Sequence, residues 1–243
     1  MSKPSKTRYK KENLVLLPGM MCDHRQWAPQ IDALRDYCAS IVVGDTTRAD
    51  SIQQVAKNVL ADAPDQFALA GLSMGGLFAF EMWRQAPDRI TRVAILDANA
   101  SAETDEKRCS REELLNRVLQ GELREVFVDT LKFNYLACCN RDNQQLLDLI
   151  MDMAVELGAE VFTRQSRAVG TRRESISTLK SINVPALVLC GSEDFICPVG
   201  FHELIAEQLP NARLVVVENC GHLSTLEQPS RVNEEFVRWL TAC

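Results

Sequence analysis

Six short apolar runs, separated by segments with helical period, constrain the fold of this chain more than any other feature. The runs are 14–17, 41–43, 67–70, 93–96, 186–190 and 214–217, and the intervening patterns predict helices over about 26–36, 51–62, 74–85, 200–209 and 230–241. Continuous apolar runs fit strands buried on both faces, and strands joined through helices must run parallel. Proline marks several boundaries: Pro64 and Pro87 lie just beyond helices, Pro185 opens a strand, and Pro210-Asn211 closes a helix. The chain therefore reads as an α/β protein of about six mostly parallel strands, with helices on both faces of the sheet.

Between Asp97 and Leu179 this alternation stops, and about eighty residues with helical period follow, Glu112–Leu119 and Leu146–Met153 among them. An all-helical stretch between two sheet strands reads as a cap over the sheet's edge. The expected division is a disordered basic tail at 1–12, a core at 13–98 and 179–243, and a helical cap at 99–178. At 243 residues the chain is long enough to bury one large core.

Composition narrows the classes of function. The formal net charge is −6, and outside the tail, with its Lys3, Lys6, Arg8, Lys10 and Lys11, 22 basic residues face 32 acidic ones. Nucleic acid is thereby an unfavourable partner. No run of 18 apolar residues exists to span a bilayer, and the apolar stretch at 14–17 is too short for a signal peptide. Nine cysteines with no C-x-x-C pair read as reduced thiols in a cytoplasmic protein without a metal site.

Chemistry concentrates at Gly71-Leu72-Ser73-Met74-Gly75, where an apolar run enters and a helical pattern leaves. Strand, sharp turn and helix form the setting of a nucleophile elbow. A serine hydroxyl needs a general base, and histidine has the suitable pKa. Of three histidines, His202 falls inside a predicted helix and reads as a surface or half-buried residue, while His24 follows the first strand. His222, in Cys220-Gly221-His222-Leu223, follows the last strand and faces the same rim as the elbow. Asp194 follows the penultimate strand and is the candidate to orient that imidazole, with Glu193 and Asp97 as its rivals; as an alternative, Asp194 caps the turn before the next helix. The oxyanion is assigned to backbone N–H groups, those of Met74 after the serine and of Met20 in the loop Leu17-Pro18-Gly19-Met20. Met21, Cys22, Phe195 and Leu223 are candidate apolar pocket residues. Near these motifs no cluster of Arg or Lys promises to hold a carboxylate; Arg25 and Arg48 read as solvated surface charge.

The order Ser73, Asp194, His222 over three strand-end loops resembles the α/β-hydrolase superfamily. The Leu-Pro-Gly loop at 17–19, the run Gly71–Gly76, and Gly191–Pro198 with Gly221-His222 and Glu227-Gln228-Pro229 carry the resemblance. It is nearest in flavour to small esterases, enol-lactonases and meta-cleavage C–C hydrolases, which implies a helical cap between strands six and seven of the family's pattern. Where relatives often have His-Gly in the oxyanion loop, this chain has Pro18-Gly19. The resemblance implies a cofactor-free serine hydrolase that cleaves a small apolar carboxylic ester, lactone or thioester through an acyl-enzyme on Ser73. Alternatives are C–C bond hydrolysis or perhydrolysis on the same three residues, or a hydrolase-like ligand-binding receptor. A small-molecule substrate is expected; monomer and homo-oligomer are both left open.

Overall fold

The computed structural model describes residues 9–242. Six strands form one parallel sheet: β1 (Glu12–Leu17), β2 (Cys38–Val43), β3 (Phe67–Leu72), β4 (Ile90–Leu96), β5 (Ala186–Gly191) and β6 (Ala212–Val217), in the order β2-β1-β3-β4-β5-β6. Each expected run lies within a strand. Residues 1–8, most of the expected tail, lie outside the described residues. Of its remainder, Glu12 already belongs to β1 and pairs with Arg92 at 2.9 Å, and the Tyr9 ring stacks on Tyr37 with centroids 6.3 Å apart.

The pleat sends alternate side chains to opposite faces, and both faces are covered. Leu14, Leu16, Ala70, Leu72, Leu96 and Leu189 join one buried cluster with α1 (Ala28–Leu34) and α10 (Pro229–Thr241), which contributes Phe236 and Trp239. Val15, Leu17, Phe67, Leu69, Val93 and Val188 join the other, with α2 (Ile52–Asp62), α3 (Met74–Gln85) and α8 (Val199–Gln208). The short helix α9 (Ser224–Glu227) follows the loop that carries His222.

The helical insertion separates β4 from β5. Among the described residues these are the fourth and fifth strands, not the sixth and seventh that the resemblance implies. The insertion comprises α4 (Asp105–Leu119), α5 (Leu123–Asn134), α6 (Gln144–Gly170) and α7 (Ile176–Leu179), with α6 interrupted at Gly158, whose φ is 76°. Arg84 of α3 holds its returning end through Thr178 at 2.8 Å and Ser175 at 2.7 Å.

The order of strands places a switch point between β1 and β3, because the chain leaves β1 toward one edge and returns on the other side. In open parallel sheets the crevice at such a point is where ligands bind. Close packing there leaves no room for larger residues. A Cβ at Gly71 would stand 2.3 Å from Gly75 O, and one at Gly75 would stand 2.2 Å from Leu17 O. Both obstacles are backbone. Gly75→Ala is expected to destabilise the fold by about 3 kcal/mol or more. Gly200→Ala, where an added Cβ meets nothing within 4 Å, should shift stability by less than about 1 kcal/mol. Chemical unfolding of the two variants tests the contrast.

Candidate active site

Ser73 stands where β3 ends and α3 begins, with φ 55° and ψ −116°. A non-glycine residue in this region costs on the order of 1–3 kcal/mol, so the surroundings must hold it. Ser73 N–H donates to Leu96 O at 2.9 Å, and Gly76 N–H donates to Ser73 O at 2.9 Å. The hydroxyl is thereby lifted to the head of α3.

The other two members come from the ends of β5 and β6. Glu193 N–H donates to Cys220 O at 2.8 Å and ties the two loops together. Asp194 uses its oxygens separately. Oδ1 accepts the N–H groups of Ile196 at 2.9 Å and Cys197 at 2.8 Å, while Oδ2 lies 2.8 Å from His222 Nδ1. The turn-capping role and the imidazole-facing role coexist in one carboxylate. His222 Nε2 lies 2.8 Å from Ser73 Oγ. A carboxylate facing Nδ1 selects the tautomer in which Nδ1–H donates, leaving the Nε2 lone pair to accept the Ser73 hydroxyl. Burial of His222 favours its neutral form, but the charge and hydrogen bond of Asp194, with Asp97 and Glu227 behind, outweigh it and raise the pKa above the ordinary imidazole value.

Neither rival carboxylate touches the imidazole. Glu193 accepts Cys138 N–H at 2.9 Å. Asp97 is fully buried beside the site, accepts Gly191 N–H at 3.1 Å, and accepts the Ser224 hydroxyl. Burial and the neighbouring Asp194 push its pKa well above the usual carboxylate range. His202 is fully buried, contrary to the surface reading. Its Nε2 accepts Ala98 N–H at 2.9 Å, so the ring anchors the chain just after β4, and burial lowers its pKa to about 4.

Four residues to which sequence reasoning gave no role brace the site. Tyr135, after α5, sets its ring edge-on to His222 with centroids 5.7 Å apart, and its carbonyl accepts His222 N–H at 2.8 Å. Glu227 accepts Gly221 N–H at 2.9 Å with one oxygen and Ala137 N–H at 2.8 Å with the other, which joins the histidine loop to the insertion. Gln165 of α6 accepts Met21 N–H at 2.8 Å, while Gln26 accepts Gly19 N–H at 2.8 Å. These bonds fix the loop after β1 on both sides of Met20, whose own N–H has no partner among the described residues. The N–H of Met74, as the first of α3, has no intrahelical partner by position. Only the Glu227-Gln228-Pro229 motif carried a sequence signal for any of the four.

Ser73, Met20 and Met74 line a cavity of about 520 Å³, whose apolar walls include Leu77, Leu114, Val126, Phe127 and Phe162. Of the expected pocket residues, Phe195 lines it and is 60% exposed. Met21, Cys22 and Leu223 do not. The turn at Met21, with φ 55°, accompanies a fully buried side chain, and all three pack into the core under the site. The expectation of no basic cluster also needs correction. Lys107, Arg111 and Arg172 line the cavity, brought there by an insertion remote in sequence from the motifs.

Asp194, Cys197 and His222 bring possible ligand atoms within 4.8 Å of one another. They form a poor metal set. Burial pushes the Cys197 thiol well above its ordinary pKa, which disfavours the thiolate a metal needs, and the other two are already hydrogen-bonded together.

A parallel sheet with a serine at the strand–helix elbow, facing histidine and aspartate from the last two strand ends, defines a class of fold and site. The chain belongs to the alpha/beta hydrolase fold family, whose model matches residues 13–229. It is 26% identical to the pimeloyl-(acyl-carrier protein) methyl ester esterase of Legionella pneumophila (strain Paris), over 93% of this chain and 95% of that protein. It is also 26% identical to the carboxylesterase YbfK of Bacillus subtilis (strain 168), over 94% of this chain and 80% of that protein. Its fold is similar to that of the enol-lactonase from Burkholderia xenovorans LB400, with a TM-score of 0.85 and 24% identity, covering 96% of this chain and 92% of that one.

Proposed function

We propose that this chain is a serine hydrolase that cleaves a small carboxylic ester, or the related lactone or thioester, through an acyl-enzyme on Ser73. The observation that carries the proposal is the unbroken series of contacts Asp194–His222–Ser73, each at 2.8 Å, beside a cavity with mostly apolar walls. The esterases among its relatives support the same class of substrate.

In this reading His222 takes the Ser73 proton as Oγ attacks the substrate carbonyl. The N–H groups of Met74 and Met20 hold the oxyanion. His222 then returns its proton to the departing alcohol, and water resolves the acyl-enzyme by the same steps. The insertion at 99–178 serves as the cap, closing the cavity with Val126, Phe127 and Phe162 and bracing His222 through Tyr135. Cytoplasmic residence fits the eight cysteines among the described residues, all of them free thiols, and no helix among the described residues is long and apolar enough to cross a membrane.

Release of free acid and alcohol from a panel of short-chain methyl and p-nitrophenyl esters, without peroxide, tests the assignment. Hydrolysis of at least some is expected. Activity only with peroxide, or only on a C–C substrate, would replace it.

The pH dependence follows from His222. Only the neutral imidazole is a base, so kcat/KM should fall as pH drops through its pKa, which is raised above the ordinary value of about 6.5. A profile of kcat/KM between pH 5 and 9 should show an acid limb centred above 6.5 and no loss of base function toward pH 8. A profile that stays flat down to pH 5 would point to a carboxylate base instead.

A further inference from the structure

The cavity beside Ser73 carries more positive charge than its own residues neutralise. Three cations line it, Lys107, Arg111 and Arg172, against one carboxylate, Glu103. Arg111 engages both oxygens of Glu103, at 3.1 and 3.0 Å, and donates to Ser166 O at 3.3 Å. Lys107 lies over the Phe201 ring, 5.3 Å from its centroid. Arg172 differs. Among the described residues no hydrogen bond or ion pair reaches its guanidinium, and its Nε is buried without a partner.

Nothing on its other side supplies a counter-ion. The crevice there contains Glu81, which already accepts Arg84 at 3.0 Å and Gln85 at 3.1 Å. Burial lowers the Arg172 pKa, and attraction to Glu103 from a distance does not offset it. Arg172 is half-buried, and a guanidinium partly withdrawn from water, its Nε sealed off without a partner, carries an uncompensated desolvation cost that an anion delivered by a ligand in the cavity would offset. Its planar, two-donor edge matches the two oxygens of a carboxylate.

We propose that Arg172 binds a carboxylate of the substrate, and that the substrate is an ester or lactone whose acyl part carries that carboxylate beyond an apolar spacer. The spacer lies against Leu77, Val126, Phe127 and Phe162, and the reacting carbonyl lies at Ser73. The inference rests on the serine hydrolase reading for the bond that is cut. The anion site itself does not depend on it.

The test has a kinetic and a binding arm. Monomethyl adipate and methyl hexanoate differ in a terminal carboxylate against a methyl group, and their hydrolysis is followed by acid release at constant pH. The chain should prefer the adipate ester by about tenfold or more in kcat/KM, chiefly through KM, as expected for a charge-assisted contact. Arg172→Met should reduce that ratio at least tenfold, and Arg172→Lys should retain part of it. A ratio near one in the unaltered chain, or one that Arg172→Met leaves unchanged, overturns the proposal. Calorimetry on Ser73→Ala gives the second arm: adipate should bind at least tenfold more tightly than hexanoate, and Arg172→Met should remove the difference. If neither ester, nor any member of the methyl and p-nitrophenyl panel, is cleaved, the hydrolase reading fails while the calorimetry still decides the anion site. If both are cleaved alike and adipate binds no better than hexanoate, the anion site fails while the hydrolase reading stands.

Discussion

Ser73→Ala is expected to lower kcat for any ester the chain hydrolyses by on the order of 10⁴- to 10⁶-fold, with little change in KM. The size follows from the role. Without Oγ no acyl-enzyme forms, and only water attack assisted by the oxyanion donors remains. Stability should be close to unchanged or slightly altered, because the Ser73 side chain touches only His222 Nε2 among the described hydrogen bonds, while its backbone bonds to Leu96 and Gly76 are kept. Steady-state kinetics beside thermal unfolding separate the two effects. Near-full activity in a folded Ser73→Ala protein would exclude Ser73 as the nucleophile.

Asp194→Asn is expected to cost about 10⁴-fold in kcat. The turn explains why so conservative a change is severe. The Asn oxygen should stay on the N–H groups of Ile196 and Cys197, as Asp194 Oδ1 does, which turns the amide NH₂ toward His222 Nδ1. A donor there forces the imidazole proton onto Nε2, and Nε2 then cannot accept the Ser73 hydroxyl. Glu193→Gln leaves the imidazole untouched and should change kcat less than about threefold, within the small range of surface changes. Equal losses in the two variants would contradict this division of labour.

The sheet was legible because burial on both faces demands apolar runs, and each of the six appears as unbroken letters such as Phe67-Ala-Leu-Ala70. The meeting of Ser73, His222 and Asp194 was legible because strand-end loops of a parallel sheet share one rim, so order along the chain implies proximity. What stayed hidden depends on contacts across long separations. Gln165 lies in α6, and Tyr135 and Arg172 lie just beyond the ends of α5 and α6, in an insertion whose helical period does not say how it packs back onto the rim. Met21 and Leu223 were expected in the pocket for their apolar character, which the core under the site satisfies equally well. His202 shows the same ambiguity in reverse, since a polar residue inside a helix looks solvent-facing until a backbone N–H, here that of Ala98, comes to meet it.

Intact-mass and peptide analysis after reaction with a fluorophosphonate tests the central claim most directly, because it needs no knowledge of the substrate. One adduct per chain is predicted, on the peptide that contains Ser73, absent from Ser73→Ala and strongly slowed in Asp194→Asn. No adduct at Ser73 in a preparation that hydrolyses esters, or an adduct that persists in Ser73→Ala, would contradict the account.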